Sequence, residues 1–385
     1  MREPLILAID TSCDDTSAAV TRGSEVLSNV IASQTQLHKP YGGVFPTVAK
    51  LAHKENIDRT ISIALQRAQV SLEMVDAVAV TVGPGLAPAL EVGIATAKTL
   101  AKRYAKPLIP VNHVEGHVLS VLAHPAIKNT STRKQTEAAQ LPALSIIVSG
   151  GHTEFVLVTE LGKYEILGST LDDAAGECLD KIGRMLNLGY PAGPVMEEFA
   201  KLGNAAAYPF PLPLTTVKTF DLSFSGMKTF ARNTIDALTS EQPLNKQQTY
   251  DFCASAQHGV FRHICYKLQK VLEAQVVTED QAMTADTASK TAHRAYPIQE
   301  LWLGGGVAAN MTLRKMLRET ARTFTTKHKF TPIRLKTPYT KKLCADNAAM
   351  IGVVAGVWLK NNGTSSSKPS LLEIESIERK PRLSL

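Results

Sequence analysis

Apolar residues near the start of the chain fall in short unbroken blocks, each closed by a polar or glycine-bearing turn. Leu5 to Ile9 is the first strand-length block, the polar TSCDDT turn follows it, and Ser17 to Thr21 and Glu25 to Ala32 supply two more. Arg22 to Ser24, between the last two, predicts a hairpin turn. Val75 to Val82 is a buried-strand run stopped by GPG, and the Ala-rich stretch from about Leu90 to Lys102 predicts a helix. Pro107 to Val111 is a further strand and leads into HVEGHVLSVLA, a helix start.

The same order recurs later. ALSIIVSG from Ala143, the glycine turn GGHT, EFVLVTE and YEILGST give strand, turn, strand and strand. Leu301 to Leu303 then runs into GGGVAAN and a helix from about Thr312, and Thr331 to Leu335 with CADNAAMIGVVAG repeats the final strand and helix. The likeness lies in pattern rather than in residue identity. A duplicated strand-hairpin-strand plan with interleaved helices predicts an α/β protein of two similar lobes. The expected division is a first lobe over 1–140, a second over 141–345, and a C-terminal helix and tail over 346–385 that can pack back on the first. Ile127 to Gln140, Val276 to Pro297 and Asn361 to Pro369, rich in Thr, Ser, Ala, Lys or Gly, are expected surface loops.

Composition adds limits. A chain of 385 residues exceeds one ordinary core, which favours two lobes. Its 44% apolar and 20% charged residues describe a globular protein, not a disordered one. The 42 Lys and Arg against 35 Asp and Glu leave +7, with a pI near 9.0, a balance compatible with a polyanionic partner without requiring one. Five scattered cysteines without a CxxC pair suggest neither a disulfide framework nor a thiolate zinc knot. No apolar run approaches the roughly 18 residues that span a bilayer, so no membrane anchor is expected. The strand-like LILAID begins within four residues of the start, so neither a secretory signal nor an Arg-rich transit segment is expected in this sequence, and a processed organelle protein would look the same.

Three polar turns follow strands at equivalent places: Asp10 to Thr16, Ser149 to Thr153 and Gly304 to Asn310. Adjacent glycines let backbone N–H groups face one concavity and let a nucleotide approach the main chain, although any one such turn alone is better read as a mere tight turn. Their joint placement favours an adenine-nucleotide site in a cleft between lobes. His113 and His117, four residues apart, share one helix face within reach of a single cation. As a lone pair they read more often as structural than as metal ligands. The duplication supplies Asp346, expected in the corresponding helix of the second half, as a third ligand that would leave coordination positions open for substrate. HVEGH is not the HExxH of zinc peptidases, because Glu115 lies about 200 degrees round the helix from His113.

With IDTSCDDT, LHKPYGGVFPTVA, GPGLAPAL, HVEGH, VSGGHT, LDDAAGECLDK, YPAGP, LSFSGMKTF, GGGVAAN and CADNAAM in this order, nearly the whole chain resembles the universal tRNA threonylcarbamoyladenosine transferases, once described as sialoglycoprotein endopeptidases. The resemblance implies duplicated actin-like lobes (ASKHA, RNase H-like) around a cleft that takes threonylcarbamoyl-AMP, or ATP or AMP. It implies one divalent metal, iron or zinc, on His113, His117 and Asp346, and nucleotide contacts from Ile147, Val148, Ser149, Gly150, Gly151, Asp180, Gly193 and Asn310. Asp14 matches the residue the family uses near the reacting centre, where it would orient or deprotonate the attacking amine; the Asp14-Asp15 pair also reads as a solvated turn. The implied partners are tRNA, a separate adenylate-forming enzyme and a second copy of the chain. TSCDDT resembles the bacterial and mitochondrial branch. Asp14-Asp15 in place of the usual bacterial Asp-Glu, the long Val276 to Pro297 segment and the basic pI point to a mitochondrial matrix protein, with the cytoplasm as the alternative.

Three other functions fit parts of the pattern. A sugar- or acetate-kinase-like phosphotransferase would use the same lobes and ATP but not the histidines. A non-catalytic scaffold of the same fold would lack the full His113, His117 and Asp346 set, and a peptidase is disfavoured by the HVEGH spacing.

Overall fold

A computed structural model describes residues 2–126, 139–275, 298–362 and 371–385. Of the expected loops, Val276 to Pro297 lies outside them, as do 127–138 of Ile127 to Gln140 and 363–369 of Asn361 to Pro369; Asn361 and Asn362, expected in the last loop, instead end a helix. The first sheet contains β1 (Leu5–Asp10), β2 (Asp15–Arg22), β3 (Glu25–Ser33), β4 (Ala77–Gly83), β5 (Leu108–Asn112) and a two-residue β6 (His124–Pro125), in the order β5-β4-β1-β2-β3-β6. The second contains β7 (Ala143–Val148), β8 (Thr153–Glu160), β9 (Lys163–Ser169), β10 (Glu300–Gly304) and β11 (Arg334–Lys336), in the order β11-β10-β7-β8-β9. In each, the first three strands are antiparallel neighbours, and two more, β4 and β5 or β10 and β11, add in parallel on the other side of the first; β6 pairs in parallel with β3 at the far edge. The two sheets thus share one plan, that of the actin-like fold. The strand expected at Thr331 to Leu335 is shorter and later, at Arg334–Lys336.

Central strands read as unbroken apolar runs because both of their faces are covered: every residue of β1, β4, β7 and β10 is buried. β3, farther out, alternates buried and half-exposed positions along most of its length. The helices joining these strands are α1 (Thr35–His38), α2 (Pro46–Ala68), α3 (Ala87–Tyr104), α4 (His113–Leu119), α5 (Ala175–Met185), α6 (Gly193–Ala200), α7 (Ser225–Leu238), α8 (Lys246–Ala274), α9 (Met311–His328) and α10 (Ala348–Asn362).

Three cores result. α2 and α3 cover one face of the first sheet, and α5 to α9 build the core of the second sheet's outer face. Between the sheets, α4 and α10 form a middle layer whose core joins Ile6 and Ala8 of β1, Val114 and Val118 of α4, Ile147 of β7 and Ile351 of α10. α10 follows a strand of the second sheet yet lies against β1 and β2 of the first. Gly352 permits this approach, since a Cβ there would stand 2.5 Å from Thr21 Oγ1 and 2.7 Å from its Cγ2. Thr21 is fixed in β2, so the helix would have to move. Gly352→Leu is expected to lower stability by about 1–3 kcal/mol, read from the urea midpoint, with helix content by circular dichroism retained.

Candidate metal centre and nucleotide cleft

His113 opens α4 directly after β5, and the Asn112 side chain caps the helix by accepting hydrogen bonds from Val114 N at 2.8 Å and Glu115 N at 3.3 Å. One helical turn separates the two histidines, and their rings meet edge to face with centroids 4.7 Å apart. Both are buried. Glu115 points elsewhere, as its spacing requires, and accepts a hydrogen bond from Tyr164 Oη at 2.8 Å.

Asp346 Oδ1 lies 3.3 Å from His113 Nε2 and 3.2 Å from His117 Nε2. The duplication therefore identified a residue that does meet the histidines, but its expected place in a helix is corrected. Asn347 Oδ1 accepts a hydrogen bond from Met350 N at 3.2 Å and caps α10, which starts at Ala348 and leaves Asp346 in the bend before it. Asp10, at the end of β1, stands behind the cluster with Oδ1 3.7 Å from His113 Nδ1.

Burial favours neutral rings, yet at His113 the carboxylates of Asp346 and Asp10 outweigh it and push the imidazole up to about 10. At His117 burial prevails, aided by His113, and the ring is held below its ordinary value. Burial likewise acts to raise Asp346, but the two imidazoles hold its carboxyl well below the usual range. Negative charge from Asp10 and Asp346 thus faces His113 from two sides. His113 Nδ1 and both His117 ring nitrogens are buried without a hydrogen-bond partner, and the three ligand atoms lie within 4.8 Å of one another. Two imidazoles and one carboxylate converging with unsatisfied nitrogens fit a divalent cation such as zinc or iron.

This cluster forms part of the wall of a cleft of about 580 Å³, within the range of small-molecule sites. Both sheets contribute: Asp14 and Gly85 from the first, and Gly150, Asp180 and Gly306 from the second. Burial, then the charge of Asp346, raises the Asp14 carboxyl above the ordinary range. His152, not singled out from the sequence, also lines the cleft; burial and then His113 and His117 lower it to about 4, so it is neutral. Tyr190 and Arg184, from YPAGP and from the helix of LDDAAGECLDK, complete the cleft and were missed, since neither motif marks which side chain faces inward.

The expected nucleotide contacts separate into two groups. Ser149, Gly150, Gly151 and Asp180 line the cleft. Ile147 and Val148 are fully buried in β7 and are absent from its wall, because a central strand spends both faces on cores. Asn310 caps α9 through Thr312 N at 2.9 Å and donates to Gln257 Oε1 at 2.7 Å, so its amide is engaged internally. Gly193 N donates to Asp180 Oδ1 at 2.9 Å, supporting the cleft from behind. The two glycines of SGGHT do not both offer free N–H groups, since Gly151 N donates to Ser149 Oγ at 3.3 Å.

The family model described as tRNA N6-adenosine threonylcarbamoyltransferase matches residues 25–353. The chain belongs to this family. A transferase of that name from Thermosynechococcus vestitus is 39% identical over 97% of this chain and 97% of its own length. One from Endomicrobium trichonymphae is 40% identical over 99% of this chain and 97% of its own. Among solved structures, HypF from T. kodakarensis superposes with a TM-score of 0.56 at 14% identity, covering 94% of this chain and 49% of that one, a likeness of fold alone.

In this threonylcarbamoyltransferase family member a strap of residues 380–384 braces the cleft. Lys380 N donates to Val82 O at 2.6 Å, and Gly85 N donates to Pro381 O at 3.2 Å. The GPG turn so held passes the restraint on, with Leu86 N donating to Ser12 O at 2.8 Å, two residues before Asp14. On the other side, Asn112 Nδ2 donates to Ser384 O at 2.9 Å, tying the cap of the histidine helix to the same strap. Asn112→Ala is expected to weaken cation binding roughly tenfold in a chelator competition, the scale of outer-shell losses. Asn112→Asp keeps the cap but loses the donor to Ser384, and is expected to lie between parent and alanine variant.

Proposed function

We propose that the protein transfers a threonylcarbamoyl group from threonylcarbamoyl-AMP to N6 of the adenosine adjacent to the anticodon of tRNA. The observation that carries this reading is the meeting of His113, His117 and Asp346 in the wall of the same cleft as Asp14 and the glycine turns. When bound there, iron or zinc supplies Lewis-acid polarisation of a carbonyl oxygen and neutralises developing negative charge.

The adenylate is held against Ser149, Gly150 and Gly151, where no atom lies within 4 Å of a Cβ placed at either glycine. Asp180, with its Oδ1 fixed by Ala192 N and Gly193 N at 2.9 Å each, orients the nucleoside end. The acceptor adenosine is unpaired in its loop and enters the cleft without a duplex being opened. Its N6 bonds to the carbamoyl carbon while the bond from that carbon to the adenylate oxygen breaks, and AMP leaves. Asp14 takes the N6 proton, a task suited to a carboxylate whose basicity burial has raised.

The donor comes from a separate adenylate-forming enzyme. The basic balance and the long segment at 276–297 support a mitochondrial matrix location for a homodimer; organelle fractionation and light scattering test these two readings. Among the described residues no helix is long and apolar enough to cross a membrane.

The deciding experiment combines the protein with unmodified tRNA, threonine, bicarbonate, ATP and an adenylate-forming enzyme, followed by nucleoside mass analysis. The modified adenosine is expected; its absence with an adenylate-producing control ends the reading. Asp14→Asn is expected to lower kcat by about 10²- to 10⁴-fold with metal content retained. His117→Ala is expected to lose both metal and transfer, whereas a phosphotransferase would keep its rate.

A further inference from the structure

The positive charge of this chain is not spread over it. Residues 314–342 contain ten Lys and Arg and one acid, Glu319, a net of plus nine against plus seven for the whole chain, so the remaining residues net minus two. The segment comprises most of α9, β11 and the short turn Lys341–Leu343.

Apart from Arg314 and Lys336, which are half-buried, its charges face outward. Lys315, Arg318 and Arg322, at spacings of three and four, share one exposed face of α9, and Lys327, Lys329, Lys341 and Lys342 are also exposed. Within the band Lys336 is paired with Glu300 Oε1 at 2.9 Å, whereas elsewhere the acids stand farther off: Glu319 lies 4.0 Å from Lys315, and Glu273 lies 3.9 Å from Lys327. Among the described residues, Arg318, Arg322, Lys329, Lys341 and Lys342 have no carboxylate in ion-pair range. Uncompensated like charges on one helix face repel, so the pattern does not serve the helix itself.

The band also reaches the cleft. Arg314, in the first turn of α9, donates from Nε to Ala308 O of the glycine turn at 2.6 Å and from Nη2 to Cys344 Sγ at 3.4 Å. Cys344 N in turn donates to Lys341 O at 3.1 Å, and Asp346 follows two residues later. From Lys315 to Lys327 the helix spans about 18 Å, too long for one small anion and suited to a backbone of repeated charges.

We propose that this band is the docking surface for the phosphodiester backbone of the tRNA, holding it while the target base enters beside Asp346. The inference rests on the transferase reading for the identity of the polyanion. Backbone contacts of this kind give affinity and register without reading sequence.

The test measures tRNA binding by filter retention across a salt series for three proteins: the parent, Lys315→Gln/Arg318→Gln/Arg322→Gln, and Lys341→Gln/Lys342→Gln. All five positions are exposed, and circular dichroism with urea midpoints checks that the fold is kept. Each set is expected to weaken binding about tenfold or more and to flatten the salt slope by roughly one per lost phosphate contact. Charge-keeping Lys315→Arg/Arg318→Lys/Arg322→Lys is expected to bind as the parent does. Parent-like affinity and slope in both neutralised sets would overturn the proposal. So would variants that lose binding to phosphatidylserine vesicles while tRNA binding stays intact. The nucleoside assay separates the two claims: modification by the parent with parent-like binding by the variants removes the band and spares the transferase. Band-dependent binding without any modification does the reverse.

Discussion

Close packing of α4 against α10 in the layer between the two sheets is the constraint on which the cleft depends. Gly116 stands between the two histidines of HVEGH, and a Cβ there would come within 3.0 Å of Met350 Cγ and 3.1 Å of Ile351 Cδ1. A side chain at this point would wedge the helices apart, and protein interiors have little slack to absorb it. Since Asp346 directly precedes the cap of α10, its distance to the imidazoles is set by that contact rather than by any local loop preference. The glycine that looks like filler between two ligands is what lets the third one arrive.

The cluster is built against folding stability. Burying Asp10, two imidazoles and a carboxylate with nitrogens left unsatisfied is costly, and apolar residues of similar volume would pack there without that cost. Such a concentration of uncompensated polar groups, placed in the wall of the cleft that both halves line and not in a distant core, is where a fold yields stability to chemistry.

Legibility in the sequence followed the kind of interaction involved. β1, β4, β7 and β10 could be read because a strand covered on both faces must be apolar throughout, and the duplicated order of those runs exposed the two-sheet plan. His113 and His117 were visible through helical spacing. Asp346 was found through the duplication, but its position before the helix depends on the Asn347 cap, which periodicity does not reveal. α2 and α5 to α8 left little trace: α8 is buried along much of its 29 residues, and small or polar residues such as Ala254, Ser255 and Gln257 fill the positions a stripe would need. The strap was invisible, because most of its contacts are made by main-chain atoms common to every residue type. Ile147 and Val148 are the converse case: the motif is plain in the sequence, while the strand's packing, which the motif does not show, keeps their side chains out of the cleft wall.

The route of the chain through Asp346 has a further consequence. β11 belongs to the second sheet and α10 lies on the first, so this carboxylate sits where the polypeptide crosses from one to the other, facing imidazoles anchored at the end of β5. A cation held by these three residues would tie the end of β5 to the segment that crosses between the sheets. Any ligand whose binding changed the spacing of Asp346 from the imidazoles would then be coupled to the ion, and by reciprocity the ion to that ligand.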